Sequence, residues 1–229
     1  MNTDRFITTF ETYFPKHEIG KVSTHFEDKF TRSFFDPCFA IEGMTSIKKQ
    51  MLLKIAFSCL FEDECYLEIG TYTGKSLIST LKDNVDRKCY ACDNFSQFTD
   101  SNSLEILTNN LAQHGIRDKV IFFNSDFRLI LSKTKIKDPV GLYFYDGAHD
   151  LENQYMAVKL VEPLLADTAL VIIDDWRFAR DSQSYAKVAT EKAISESKRR
   201  WQLLYDLPAR YNGDHAMWWN GVAVFESHI

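Results

Sequence analysis

The residues best equipped for chemistry fall in three short stretches, Glu68-Ile-Gly-Thr-Tyr-Thr-Gly-Lys-Ser76, Asp146-Gly-Ala-His149 and Asp174-Asp175-Trp176. The last two offer carboxylates and an imidazole, and an unperturbed imidazole, with a pKa of about 6.5, accepts a proton near neutrality. The first is a turn bearing Gly70 and Gly74, preceded by apolar Tyr66, Leu67 and Ile69 and followed by an amphipathic run over residues 75–81. A strand, a glycine-bearing turn and a helix start leave backbone N–H groups free above the strand end, as nucleotide sites do. A dinucleotide turn places a second glycine where the pyrophosphate meets the backbone. Tyr72 holds that position here, which argues against a nicotinamide oxidoreductase. An adenosine ligand without a pyrophosphate suits the turn, and S-adenosyl-L-methionine is the common one.

These stretches need elements that bring them together. Apolar runs over residues 66–69, 88–93, 119–124, 140–146, 169–175, 201–207 and 221–225 read as strands. Helical spacing covers 46–61, 75–81, 100–114, 127–131, 150–165 and 181–198. Alternation of this kind, with near-continuous apolar strands, predicts an α/β fold: a doubly wound, seven-stranded, mostly parallel sheet covered on both faces. Ligands of such sheets lie outside the C-terminal strand ends. Gly70, Asp93, Asp126, Asp146, His149, Asp174 and Asp175 all fall at such ends. Asp93, 19 residues after Gly74, ends the second strand where a carboxylate can accept from ribose hydroxyls; the alternative is a loop or helix-cap aspartate.

The motif Glu68-x-Gly70-x-Tyr72-x-Gly74-x-Ser76 resembles the first motif of class I S-adenosylmethionine-dependent methyltransferases, most of all the catechol and caffeoyl-CoA O-methyltransferase branch. The chain from about residue 42 to 225 also resembles a small bacterial group whose fourth strand ends in Asp-Gly-x-His and whose fifth ends in Asp-Asp-Trp. The resemblance implies a Rossmann-like sheet with an antiparallel seventh strand. It implies cofactor contacts at Glu68, Gly70, Tyr72, Gly74, Ser76, Asp93 and Asp146, with Gly43 and Met44 reaching in from the preceding loop and Asp126 approaching the adenine. Asp126 is alternatively the N-cap of the next helix. In the catechol branch a magnesium ion is held after the fourth and fifth strands, at places matched here by Asp146, Asp174 and Asp175, with Asp instead of Asn at the last. An all-oxygen set of this kind suits Mg²⁺, Ca²⁺ or Mn²⁺. Without an ion, Asp146 would touch cofactor or substrate, Asp174 would be a buried strand end and Asp175 a helix cap. The branch carries a lysine three residues beyond its first metal aspartate; this sequence carries His149, a candidate general base beside Asp146, or else a cap of the following helix. The implied activity is O-methylation of a small-molecule hydroxyl, Mg²⁺-assisted with His149 as base; the alternatives are a metal-independent N-methyltransferase and a catalytically silent S-adenosylmethionine or nucleoside-binding protein.

Composition narrows the partners. The formal charge of −5 with dispersed basic residues argues against nucleic acid, and no apolar run approaches the length of a membrane span. The five cysteines, Cys38, Cys59, Cys65, Cys89 and Cys92, lack disulfide-framework spacing, which fits a reduced cytoplasm. Cys89 and Cys92 have redox-motif spacing but point to opposite faces of a strand. Residues 1–45 form a separate N-terminal helical cap or lid ahead of a ligand-binding domain at 46–229. Phe6, Phe10, Tyr13, Phe14, Phe26, Phe30, Phe34, Phe35 and Phe39 crowd this segment, and they either pack outside the sheet or make a lid or a homodimer contact. Arg210, Tyr211, Asp214, His215, Trp218 and Trp219 lie in a loop before the last strand, and they suggest an aromatic-walled pocket for a small acceptor.

Overall fold

A computed structural model of the protein describes residues 1–15, 40–83, 87–99, 101–132, 135–178, 180–181 and 184–229. Seven strands form one sheet: β1 (Cys65–Ile69), β2 (Lys88–Asp93), β3 (Val120–Asn124), β4 (Val140–Tyr145), β5 (Leu165–Asp174), β6 (Arg200–Leu207) and β7 (Val222–His228). Their order is β3-β2-β1-β4-β5-β7-β6. The first five are parallel, and β7 lies antiparallel between β5 and β6. This is the doubly wound, mostly parallel sheet that the strand pattern predicts, with the antiparallel seventh strand that the resemblance implies.

Both faces are buried, as parallel strands require. Along β4, Leu142 and Phe144 enter one apolar layer while Tyr143 and Tyr145 enter the other. The first layer is closed by α1 (Thr3–Tyr13), α2 (Ile47–Ser58), α3 (Lys75–Leu81) and α4 (Ser103–Gln113); α5 (Phe127–Ser132), α6 (Leu151–Val161) and α7 (Tyr185–Ser195) close the second. Cys89 and Cys92 fall in different layers, and Cys59, Cys65, Cys89 and Cys92 are free and buried. Cys38 and Phe26, Phe30, Phe34, Phe35 and Phe39 lie outside the described residues.

Phe6, Phe10 and Phe14 belong to the same core as the sheet, with the Phe10 ring 4.2 Å from Tyr205 and Phe14 5.2 Å from Trp218. The packing alternative therefore holds for these three, while Tyr13 is exposed. Two boundaries differ from the sequence expectation. The fourth crossover helix stops at Val161 and yields to a 3-10 turn over Glu162–Leu164, because Pro163 has no N–H to continue the helix. β5 then begins at Leu165, and its early residues pair with β4 and with the end of β7. The last helix starts at Tyr185, where the Ser184 side chain accepts from the Lys187 N–H. Among the described residues no helix is long and apolar enough to cross a membrane.

Candidate functional site

Register decides what meets at the sheet's upper edge. Ile69 aligns with Cys92 on one side and Tyr145 on the other, and Tyr145 aligns with Ile173. The next residue of each strand is therefore in one row: Asp93, Gly70, Asp146 and Asp174. Gly70 and Asp146 are pressed together, because the Asp146 N–H donates to the Ile69 carbonyl at 2.8 Å and the Gly70 N–H to Cys92 at 2.9 Å. With φ at +89°, a Cβ on Gly70 would lie 1.9 Å from the Asp146 carbonyl oxygen, so only glycine fits.

The turn after β1 continues in the left-handed region at Tyr72 and Gly74. Asp93 fixes it: its Oδ2 accepts from the Tyr72 N–H and its Oδ1 from the Phe95 N–H, both at 2.7 Å. Each oxygen keeps a second lone pair for a ligand. Glu68 is fully buried beneath the turn, accepting from the Tyr66 hydroxyl and from Ser76 Oγ at 2.8 Å, and burial raises its pKa to about 8. It braces the turn from below and, like Gly74, does not line the cleft above.

That cleft has a volume of about 440 Å³, and Gly43, Met44, Gly70, Tyr72, Ser76, Asp93, Asp126, Asp146, His149, Asp174 and Asp175 all border it. The size is ordinary for a small-ligand site. The loop carrying Gly43 and Met44 is tied in by a hydrogen bond from Thr73 Oγ1 to the Glu42 carbonyl. Asp126 does two things: it borders the cleft and, accepting from the Arg128 N–H at 2.8 Å, it caps α5. Its side chain also pairs with the Arg128 guanidinium, which holds its pKa below the usual carboxylate range.

At the other end of the cleft the carboxylates converge on two cations. The Lys49 ammonium, wholly buried, pairs with Asp174 Oδ2. Burial alone would lower the Lys49 pKa, but Asp174, Asp146 and Asp175 outweigh it and raise it. His149 Nε2 lies 3.5 Å from Asp146 Oδ1 and 3.4 Å from Asp175 Oδ2. Its Nδ1 lies 3.4 Å from Gln154 Oε1, and Gln154 is itself anchored to Thr190 Oγ1 at 3.0 Å. The ring is thus aimed at carboxylates that can only accept when ionised. Burial alone would lower its pKa; the hydrogen bond to Asp146 and the charges of Asp175, Asp146 and Asp174 push it up to about 9. An imidazole neutral at pH 7 is therefore not what the surroundings give. Asp174 Oδ1 has no conventional partner, and burial plus the Asp146 charge push its carboxyl well above the usual range. Asp146, despite burial, is held below that range by Lys49 and His149. One proton shared between Asp146 and Asp174 accounts for both.

Mg²⁺ at Asp146, Asp174 and Asp175 would need convergent oxygens that are free to face the ion. Here Asp174 Oδ2 carries Lys49, Asp175 Oδ1 accepts from Asn220 Nδ2 at 2.8 Å, and Asp146 Oδ1 and Asp175 Oδ2 face His149, which leaves Asp174 Oδ1 as the oxygen without a partner. Among the described residues no His, Cys, Asp or Glu group is arranged to hold a metal. The donor set does not fit the ion, because a side-chain ammonium already occupies its charge. The helix-cap alternatives for His149 and Asp175 fare no better: Asp150 caps α6 through the Glu152 and Asn153 N–H groups, and Ser184 caps α7. Asp175 instead bends the chain, with φ at +51°, and sends Trp176 inward onto Phe225.

The loop between β6 and β7 is split in role. Asp214 is buried and clamped by Arg210 through contacts of 2.7 and 2.8 Å, and Trp218 joins the core, so both are structural. Trp219, Asn212 and Asn220 reach the cleft, joined by Arg177. Lys49, Gln154 and Asn220 were not marked by their sequence neighbourhoods as site residues. A signal existed for two of them. Lys49 stands on one stripe with Leu52, Leu53 and Ala56, and Gln154 with Ala157, Val158 and Val161, all fully buried. A polar residue heading an apolar stripe needs a partner inside.

The strand order, five parallel strands with antiparallel β7 inserted between β5 and β6, is that of the Rossmann-like methyltransferase fold. Residues 67–176 match a family model described as a methyltransferase domain. No curated protein matches the sequence. Similar solved structures include the O-methyltransferase TomG from Streptomyces achromogenes, involved in tomaymycin synthesis and in complex with SAM (14% identity, all of both chains, TM-score 0.59). Others are the SAH-bound Podospora anserina methyltransferase PaMTH1 (14% identity, 97% of this chain and 94% of that one, TM-score 0.59) and the O-methyltransferase from Bacillus cereus in complex with SAH (13% identity, 89% and 92%, TM-score 0.57). At these identities the likeness is one of fold.

Proposed function

We propose that this protein is an S-adenosylmethionine-dependent methyltransferase acting on a hydroxyl of a small molecule. The observation that carries the proposal is the single row of Asp93, Gly70, Asp146 and Asp174 beneath one cleft of about 440 Å³. Gly70 and Tyr72 would admit the nucleoside, Asp93 would accept from its ribose, and Asp126 would face the adenine. The bound cofactor supplies an electrophilic methyl group on a sulfonium. Arg177, Asn212 and Trp219, which line the same cleft, would form the wall left for the acceptor. His149 would take the acceptor's proton at Nε2 in its neutral form, with Gln154 fixing the ring.

Transfer to an amine is the second reading. The Lys49–Asp174 pair favours it, because a neutral amine needs no metal-assisted ionisation before attack. Calorimetric and melting measurements test the shared core of both readings. S-adenosylhomocysteine at about 100 times its dissociation constant should add about 2.7 kcal/mol, a melting shift of roughly 5–10 °C for this size. NAD should give none, and a shift with NAD alone refutes the proposal. S-adenosylhomocysteine release during turnover with phenol and amine panels separates an enzyme from a silent binder.

A further inference from the structure

We infer that the Lys49 ammonium is the resident counter-cation of the Asp146, Asp174 and Asp175 cluster and excludes a divalent ion from it. This deepens the methyltransferase reading, and rests on it only for the corollary that turnover proceeds without a divalent metal. Three observations carry the inference. Lys49 reaches Asp174 across 125 residues of sequence and is wholly buried, as Asp174 nearly is. Its stem rises from α2 on the stripe of Leu52, Leu53 and Ala56, and all four side chains are fully buried. The backbone at its root is fixed as well, because the Lys49 N–H donates to the capping Ser46 Oγ at 3.3 Å.

Charge and space then work together. A divalent ion bound to Asp174 would stand against a buried like charge, and repulsion between close charges in a weakly polar interior is large. Asp175, with one oxygen on Asn220 and the other facing His149, is not free to complete a coordination shell. Shortening the lysine should reverse the situation: Lys49→Ala removes the cation and opens space beside three carboxylates, which a hard oxygen-seeking ion can fill.

Mn²⁺ is the probe, because electron paramagnetic resonance of its aqua ion reads free metal directly. Wild-type protein should take up no Mn²⁺ at concentrations to about 1 mM, the range of weak carboxylate sites. Lys49→Ala should bind one equivalent at least about tenfold more tightly than that, and Lys49→Ala with Asp174→Asn should lose it. Should Lys49→Ala not fold in buffer alone, refolding with and without Mn²⁺ decides the same point, recovery in Mn²⁺ being the expected result. A wild-type protein that binds one Mn²⁺ through Asp174 overturns the inference. So does a Lys49→Ala protein that binds none, or that Mn²⁺ does not help to refold. S-adenosylhomocysteine calorimetry on the same samples keeps the two readings apart, since absent cofactor binding sinks the methyltransferase proposal and leaves the Mn²⁺ result standing.

Discussion

Replacing Asp175 by Asn probes the electrostatics of His149 without changing the size of the site. His149 Nε2 lies 3.4 Å from Asp175 Oδ2, and each side chain is about a fifth exposed (23% and 21%). A unit charge at that distance is worth about 1 kcal/mol at the dielectric constant of water and about 5 kcal/mol at an effective value of 20. Partial exposure favours the low end, so Asp175→Asn should lower the His149 pKa by about one unit from its value of about 9. The folded value exceeds the unfolded 6.5. The stability contributed by this histidine is therefore complete below about pH 6.5 and lost as pH rises through about 9. The loss across that window is about 3 kcal/mol for wild type and about 2 kcal/mol for the variant. Ring-labelled NMR titration, assigned with His149→Gln, reads the pKa, and urea midpoints at the two ends of the window read the stability. Because only neutral imidazole accepts a proton, the rising limb of kcat should fall at about 9 in wild type and about one unit lower in Asp175→Asn. A wild-type His149 titrating at the ordinary value of about 6.5, or one indifferent to Asp175→Asn, would refute the reasoning.

Two further substitutions test the cofactor half of the cleft. Gly70→Ala places a methyl group 1.9 Å from the Asp146 carbonyl at φ +89°, and should cost at least about 2 kcal/mol in urea unfolding; a change below about 0.5 kcal/mol would contradict the packing of β1 against β4. Asp93→Asn keeps an acceptor for only one of the Tyr72 and Phe95 N–H groups and removes the charge. It should weaken S-adenosylhomocysteine binding by about 10- to 100-fold, the value of a charge-assisted hydrogen bond, and unchanged affinity by calorimetry would remove Asp93 from the ribose site.

Much of the fold was legible because its determinants are local. Buried parallel strands announce themselves as apolar runs, and Gly70 and Gly74 mark the turn that an apolar strand must make before α3. Helix ends were less legible. Pro163 shortened one helix, and Ser184, rather than Asp181, set the start of another. The positions of the site were largely readable: Gly43, Met44, Gly70, Tyr72, Ser76, Asp93, Asp126, Asp146, His149, Asp174 and Asp175 do border one cleft, while Glu68 lies beneath it as a brace and Gly74 does not line it.

The sequence by itself determined which residues stand at strand ends, since an apolar run and the turn that stops it are written into each short stretch. Tertiary structure alone decided what those residues face. Lys49 and Asp174 are 125 positions apart, and Asn220 reaches Asp175 across 45; neither distance leaves a trace in local periodicity. The same three aspartates that suggest a metal in one dimension become, with a lysine folded against them, a compensated ion cluster in three. The physical reason is that charge balance in a buried site is a sum over all neighbours within a few ångströms, and only the packed fold says which neighbours those are.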